Sequence, residues 1–211
     1  MNGKVTGKPE FDAVVFDLLT ALLDSWTLWN RIAGSDDAGF RWRAEYLKLT
    51  YEAGRYRPYE GIIQQAAANV GIQRQVADRL IAAWGELKVW PEGPDVLRAL
   101  AKRVRLGIAT NSSNRLAEIA VAATGENFAA VATAENAGFY KPRPEPYRMA
   151  IAKLQLAPER ILFVAGSAAD VPGASSVGMP VYWHNRRGLA PVGGVSPTHV
   201  EQSLLPLLDL V

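Results

Sequence analysis

Cysteine is absent from the 211 residues, which excludes disulfides, thiolate metal sites and a cysteine nucleophile. A surplus of one charge is missing too. The formal net charge is +2, so the chain carries no basic footprint for nucleic acid. No apolar run reaches the roughly 18 residues of a membrane span. The opening MNGKVTGKPE lacks the apolar core of a secretory signal and is expected to be a short mobile tail. Internal repeats and low-complexity tracts are also lacking. Histidine occurs twice. His184 is expected to be structural, and His199 to lie on the surface near a C-terminal helix. These absences point to a soluble cytoplasmic protein without nucleic-acid or membrane partners, and the lack of cysteine fits a reducing compartment. What is abundant is apolar: 49% of the residues, ample for a folded core.

The apolar residues alternate between two textures. FDAVVF (11–16) is a short apolar run that ends at Asp17 and reads as a buried strand. Residues 25–90 hold five of the six tryptophans and show helical spacing. One helix is expected over about 36–53, with Phe40, Leu47 and Tyr51 on one face and Gly54 ending it. A second begins at Ile62 and ends near Gly71, and a third spans Val76–Trp84. Pro91, Gly93 and Pro94 mark a boundary. Beyond it, strands and helices alternate: VRLGIATNSS, AAVATAENAG, RILFVAGSAAD and MPVYWHN each contain a strand, separated by helical stretches. This pattern predicts an α/β fold, a Rossmann-like doubly wound parallel sheet with an inserted helical domain. The sheet domain would comprise 1–24 and 91–211, and the insert 25–90.

In open parallel sheets, ligands bind at the carboxyl ends of the strands. The first strand ends at Asp17. Another ends at Thr110-Asn111-Ser112. A third ends at Ala165-Gly166-Ser167, with Asp170 just beyond. FYKPRPEPY supplies Lys141 in a proline-stiffened loop. Each feature alone has an ordinary structural explanation, such as a helix N-cap for Asp17. Together they offer two carboxylates, one ammonium and several hydroxyl and amide groups.

In type and order, VVFDLLTAL, LGIATNSS, YKPRPEPY and ILFVAGSAAD resemble the four motifs of the haloacid dehalogenase superfamily, over about residues 11–185. The resemblance implies that Asp17 is a covalent nucleophile, that Thr110 is the second-motif hydroxyl, and that Lys141 and Asp170 complete the catalytic group. A neighbouring ammonium would hold Asp17 ionised despite burial.

Leu19 narrows the reading. Phosphatases of the superfamily carry a second Asp there as general acid and base, and leucine transfers no proton. The position is also non-acidic in the L-2-haloacid dehalogenases, which need no metal or other cofactor. FRWRAEYLKLTYEAGRYRPYEG resembles their cap helix. The resemblance implies that Arg43 receives the leaving group or binds substrate beside Trp42. It also places Tyr147, Ser167, Asn111 and Leu18 against a small carboxylic acid, with Thr110 and Asn111 holding its carboxylate. Two departures stand out. Thr20 and Ala21 occupy the places of a Gly and a Thr, so the threonine hydroxyl falls one position early. Ala165 and Ser167 replace Ser and Asn.

The expected function is therefore metal-independent displacement by Asp17 at the α-carbon of a 2-halocarboxylic acid. Alternatives are a Mg²⁺-dependent phosphatase, cleavage of another bond next to a carboxylate, a non-catalytic binder, and C–P cleavage through a Schiff base on Lys48. The tryptophans of the insert are either a homodimer interface or the insert's own core and pocket wall.

Overall fold

The computed structural model describes residues 10–211; the expected N-terminal tail lies, up to residue 9, outside the described residues. In chain order the elements are β1 (Ala13–Phe16), α1 (Ser25–Ala33), α2 (Asp36–Glu52), α3 (Tyr59–Asn69), α4 (Arg74–Ala82), α5 (Gly93–Leu100), β2 (Arg105–Thr110), α6 (Asn114–Ala122), β3 (Ala130–Thr133), α7 (Ala134–Ala137), α8 (Pro144–Leu154), β4 (Ile161–Ala165), α9 (Asp170–Ser175), β5 (Val181–His184), β6 (His199–Glu201) and α10 (Leu207–Leu210). The strands form one parallel sheet in the order β3-β2-β1-β4-β5-β6. β1 is central, flanked by β2 and β4, so strand order reverses beside it. That reversal opens a crevice at the carboxyl ends of the strands.

Both faces of β1 are buried, which is why AVVF shows no polar alternation. Val14 and Phe16 join the apolar cluster that includes Val96, Leu97 and Leu100 of α5 and Leu116 of α6. Ala13 and Val15 turn to the opposite face, against Tyr147, Ala150 and Leu154 of α8 and Val171 of α9.

Between β1 and α5 the chain forms four helices. Asp24 caps α1 by accepting from Thr27 N, and Gly34 closes it at φ 89°. Ser35 caps α2 by accepting from Ala38 N, and Asp36 and Asp37 fill its first turn, where anionic side chains suit the helix dipole. The chain leaves and re-enters the sheet side by side: Asp24 N donates to Lys88 O at 2.8 Å, and Trp90 N donates to Leu22 O at 3.0 Å.

The aromatics of this insert pack on one another. Trp29 meets Trp42 at 4.9 Å and Tyr46 at 5.3 Å, Tyr46 meets Tyr59 at 5.6 Å, and Tyr59 meets Trp84 at 6.0 Å between ring centroids. All five tryptophans are buried within the chain. Of the two readings of the tryptophans, they make the insert's own core and pocket wall, and they are not an exposed interface.

The expected helices and strands are present, with shifted ends. α5, α8 and α9 start at Gly93, Pro144 and Asp170. Three elements escaped the sequence reading, α1, the short helix α7 and the edge strand β6. His199 is accordingly a half-buried strand residue. Among the described residues no helix is long and apolar enough to cross a membrane.

Candidate active site

Asp17 follows the last residue of β1 and is only 6% exposed. Residues Leu18–Leu22 then form a single wide, π-type turn, a rare backbone feature that often marks functional sites. Asp17 is that turn's N-cap. Its Oδ2 accepts from Thr20 N at 2.9 Å, from Thr20 Oγ1 at 2.6 Å and from Ala21 N at 3.2 Å. Its Oδ1 accepts from Lys141 Nζ at 2.8 Å. The capping bonds and the Lys141 contact thus fall on different oxygens of one carboxylate.

The turn is braced from behind. Ser25 Oγ donates to Leu19 O. Trp90 Nε1 donates to Thr20 O at 3.1 Å. His184 Nδ1 lies 2.9 Å from Ala21 O, a contact in which that nitrogen must carry the proton. Burial lowers the His184 pKa, so the ring stays neutral while it donates. Gly166 meets the turn closely: a methyl group there would overlap the Thr20 hydroxyl and the Ala21 nitrogen.

Lys141 Nζ bridges two carboxylates, at 2.8 Å from Asp17 and 3.1 Å from Asp170. The lysine is held through its backbone. Asn111 Oδ1 accepts from Lys141 N at 2.7 Å, and Asn111 Nδ2 donates to Lys141 O at 3.3 Å. Asp170 also accepts from the Tyr147 hydroxyl at 2.6 Å and the Ser167 hydroxyl at 3.1 Å. Burial raises the Asp17 pKa, but the Lys141 ammonium and the Thr20 donors outweigh it, and the net shift is downward. Burial wins at Asp170, helped by the Asp17 charge, and its pKa is raised. At Lys141 burial disfavours the cation, yet two carboxylates reverse the sign and its pKa is raised. The nucleophile candidate is therefore an ionised, buried carboxylate.

Above this cluster lies a cavity of about 580 Å³. Arg43, on α2, lines it and is itself 4% exposed. Its guanidinium stacks on Trp26 at 4.4 Å and lies 5.5 Å from Trp29. Among the described residues, its Nε and Nη1 have no hydrogen-bond partner. Burial lowers its pKa, though from so high a value that it remains cationic. A buried guanidinium with unused donors beside a cavity can bind an anion there.

Of the residues singled out from sequence, Asp17, Arg43, Asn111, Lys141, Ser167 and Asp170 line this one cavity. Four others do not. Leu18 is fully buried in the core, and it is Leu19 that faces the cavity. Trp42 packs inside the helical insert and donates to Ile63 O at 3.0 Å. Tyr147 lies beneath Asp170. The Thr110 hydroxyl is 3.1 Å from Ser112 Oγ and accepts from Ser112 N at 3.3 Å, within its own turn. Lys48 is exposed, 3.8 Å from Glu45, and stands outside the cavity.

The sequence reading missed Tyr46, Leu189, Ala190 and Val192 as lining. It also underrated Thr20, whose hydroxyl sits on Asp17 although it falls one position early. Phe40, Leu47 and Tyr51 share a face as expected, but that face looks into the cavity.

The sheet order, the helical insert after the first strand and the Asp–Lys–Asp cluster at the strand ends define a hydrolase of haloacid dehalogenase type on an α/β fold. The haloacid dehalogenase-like hydrolase family model matches residues 11–178, and the chain belongs to that family. It is 30% identical over 209 residues to an (S)-2-haloacid dehalogenase of Pseudomonas putida, covering 90% of this chain and 92% of that protein. A second (S)-2-haloacid dehalogenase, from Xanthobacter autotrophicus, is 27% identical over 189 residues, covering 80% of this chain and 73% of that protein. A crystal structure of a dehalogenase superposes with a TM-score of 0.85 at 25% identity, covering 95% of this chain and 97% of that one. A crystal structure of an L-2-haloacid dehalogenase gives 0.84 at 25% identity, with 96% and 99% covered.

Proposed function

We propose that this enzyme hydrolyses the carbon–halogen bond of 2-halocarboxylic acids through a covalent ester on Asp17. The observation that carries the reading is the pairing of an ionised, buried Asp17 with an unpartnered buried Arg43 across one cavity. The relatives named as (S)-2-haloacid dehalogenases support it. The helical insert, about residues 25–90, serves as a cap that contributes Arg43 and excludes water from the displacement step.

Asp17 Oδ1 carries a single hydrogen bond, from Lys141, and is the oxygen free to attack. It forms a bond to the α-carbon as the carbon–halogen bond breaks, and the halide leaves with the electron pair. Arg43 receives the anion, halide or carboxylate. Water then adds to the ester carbonyl. The developing oxyanion falls on Oδ2, where Thr20 N, Thr20 Oγ1 and Ala21 N already donate, an arrangement that stabilises negative charge without reorganisation. Asp170, with its raised pKa, takes the water proton, and Ser167 positions the water. Collapse expels the substrate alkoxide, which takes the proton back from Asp170 and leaves as the 2-hydroxy acid, and the Asp17 carboxyl loses the remaining water proton to solvent to restore the carboxylate. One halide and one proton are released per turnover. Leu19, apolar beside the nucleophile, offers no proton for a phosphate leaving group, which is why displacement at carbon is favoured over phosphoryl transfer.

The test is halide release from racemic 2-chloropropionate and 2-bromopropionate, monitored with and without Mg²⁺. Turnover without added metal is expected. Failure on every 2-halo acid, together with Mg²⁺-dependent phosphatase activity, sinks the reading. Arg43→Met sharpens the test, because it should lower kcat/KM at least about 100-fold while leaving Tm unchanged or raised. Its guanidinium is a buried charge that stacks on Trp26 but has no ion-pair partner among the described residues, and such a charge costs folding stability. A large fall in Tm would mean that Arg43 serves the fold and not the reaction.

A further inference from the structure

The cavity is larger than a three-carbon acid requires, and its excess is apolar. Its charged lining residues are Asp17, Arg43, Lys141 and Asp170, all committed to the chemistry above. Beyond them stands a stripe along α2. Phe40, Ala44, Leu47 and Tyr51 recur at intervals of four, three and four residues, so they share one helix face, apolar except at the Tyr51 hydroxyl, which bonds Ser167. That face runs about 16 Å at 1.5 Å per residue. Across the cavity lie Pro172, Leu189, Ala190 and Val192. A cavity of this volume falls within the range, about 300–1,000 Å³, that accommodates ligands much larger than propionate.

Exposure grades along the cavity. Asp17, Arg43 and Lys141 are buried at its floor, whereas Phe40 is 56%, Val192 45% and Tyr51 42% exposed. Half of the six large apolar side chains exposed among the described residues therefore border this one opening. Clustered exposed apolar groups mark a surface that is covered in use.

Resting on the dehalogenase reading, we propose that the substrate is a 2-halo monocarboxylic acid whose α-carbon bears an uncharged apolar substituent of hexyl size or larger. The acid head lies at the floor, with the α-carbon at Asp17 and an anionic group at Arg43. The tail lies between the α2 stripe and the 189–192 segment. No charged lining residue remains for a second charge on the substrate, so dicarboxylic acids are disfavoured.

Two series test this. In the first, kcat/KM is measured for 2-bromopropionate, 2-bromobutyrate, 2-bromohexanoate and 2-bromooctanoate. Each methylene enclosed is worth up to about fourfold, and a rise of at least tenfold from the C3 to the C8 acid is expected. In the second, binding of unhalogenated propionate and octanoate is measured by calorimetry, which needs no chemistry. Octanoate should bind at least tenfold tighter, and Phe40→Ser should cut that ratio at least threefold. Turnover of the short acids with a flat or falling profile, and octanoate no tighter than propionate, overturns the substrate class but leaves the dehalogenase reading standing. Absence of halide release from every acid, with octanoate still tighter and sensitive to Phe40→Ser, overturns the chemistry and sustains the apolar pocket. A ratio unmoved by Phe40→Ser overturns the placement of the tail.

Discussion

Asp17→Asn should lower kcat for halide release by at least about 10⁴-fold, the scale seen when a covalent nucleophile is removed, with the fold intact. The amide is isosteric with the carboxylate but neutral, and its oxygen is a far poorer nucleophile. The cap survives, since the amide oxygen can still accept from Thr20 N and Ala21 N, so the π-type turn keeps its anchor. A single-turnover experiment in H₂¹⁸O with enzyme in excess gives the companion result. Water attacks the ester carbonyl of Asp17, so the heavy oxygen should appear in the peptide containing Asp17 and not in the hydroxy acid. Label only in the product would mean direct attack by water, with Asp17 as base.

The pH profile follows from the same carboxylate. The Asp17 pKa lies below its ordinary value of 3.8, so the acid limb of kcat/KM, which reports the free enzyme, should lie below that value. Its stability contribution has the same sign. A depressed carboxylate stabilises the fold above its unfolded pKa, and that contribution is lost as pH falls through the folded value. Asp170 works oppositely, since its raised pKa favours folding while it is protonated and costs stability once it ionises. An acid limb near pH 6 would mean that Lys141 does not control the nucleophile.

Much of this cluster was legible because charged residues at the ends of buried parallel strands are rare. Asp17 stands out as a charge that closes an apolar run, and Lys141 and Asp170 stand out by order. Arg43 was legible only through the resemblance of its helix, because a lone Arg on an amphipathic helix is usually solvated. Backbone direction was not legible. Whether Leu18 or Leu19 faces the cavity depends on the π-type turn, and periodicity does not encode such a turn. Thr110 misled for a related reason. A hydroxyl at a strand end bonds the cavity or its own turn, and here the nearby Ser112 captures it. Phe40, Leu47 and Tyr51 made a readable stripe, but a helix face covering a core and one lining a cavity have the same spacing. The 189–192 segment was invisible, since loops are placed by the strands around them and carry no period.

Lys141→Met should cost more stability than any other single change at the site. Lys141 is 3% exposed, and Asp17 and Asp170 are 6% and 3% exposed. Removing the ammonium leaves two buried carboxylates facing each other without a cation. Breaking a buried ion pair from one side costs about 3–5 kcal/mol, which at about 2–4 °C per kcal/mol for a chain of this size lowers Tm by about 6–20 °C. The deficit should depend on pH. In the wild type the Asp17 contribution fades as pH falls through its depressed pKa. In the variant like-charge repulsion raises at least one carboxylate pKa, so acidification protonates it and relieves the strain. The second effect narrows the gap above pH 4 and the first only below about pH 3.8, so the difference in Tm should be largest near pH 8 and smallest at the acid end of the range. The double variant Lys141→Met/Asp170→Asn should recover part of the lost Tm, since one buried charge remains in place of two, yet stay inactive because nothing holds Asp17 ionised. Calorimetry across that pH range checks the set. A Tm deficit that does not change with pH would mean that Lys141 stabilises by packing, and the electrostatic account of the nucleophile would fail with it.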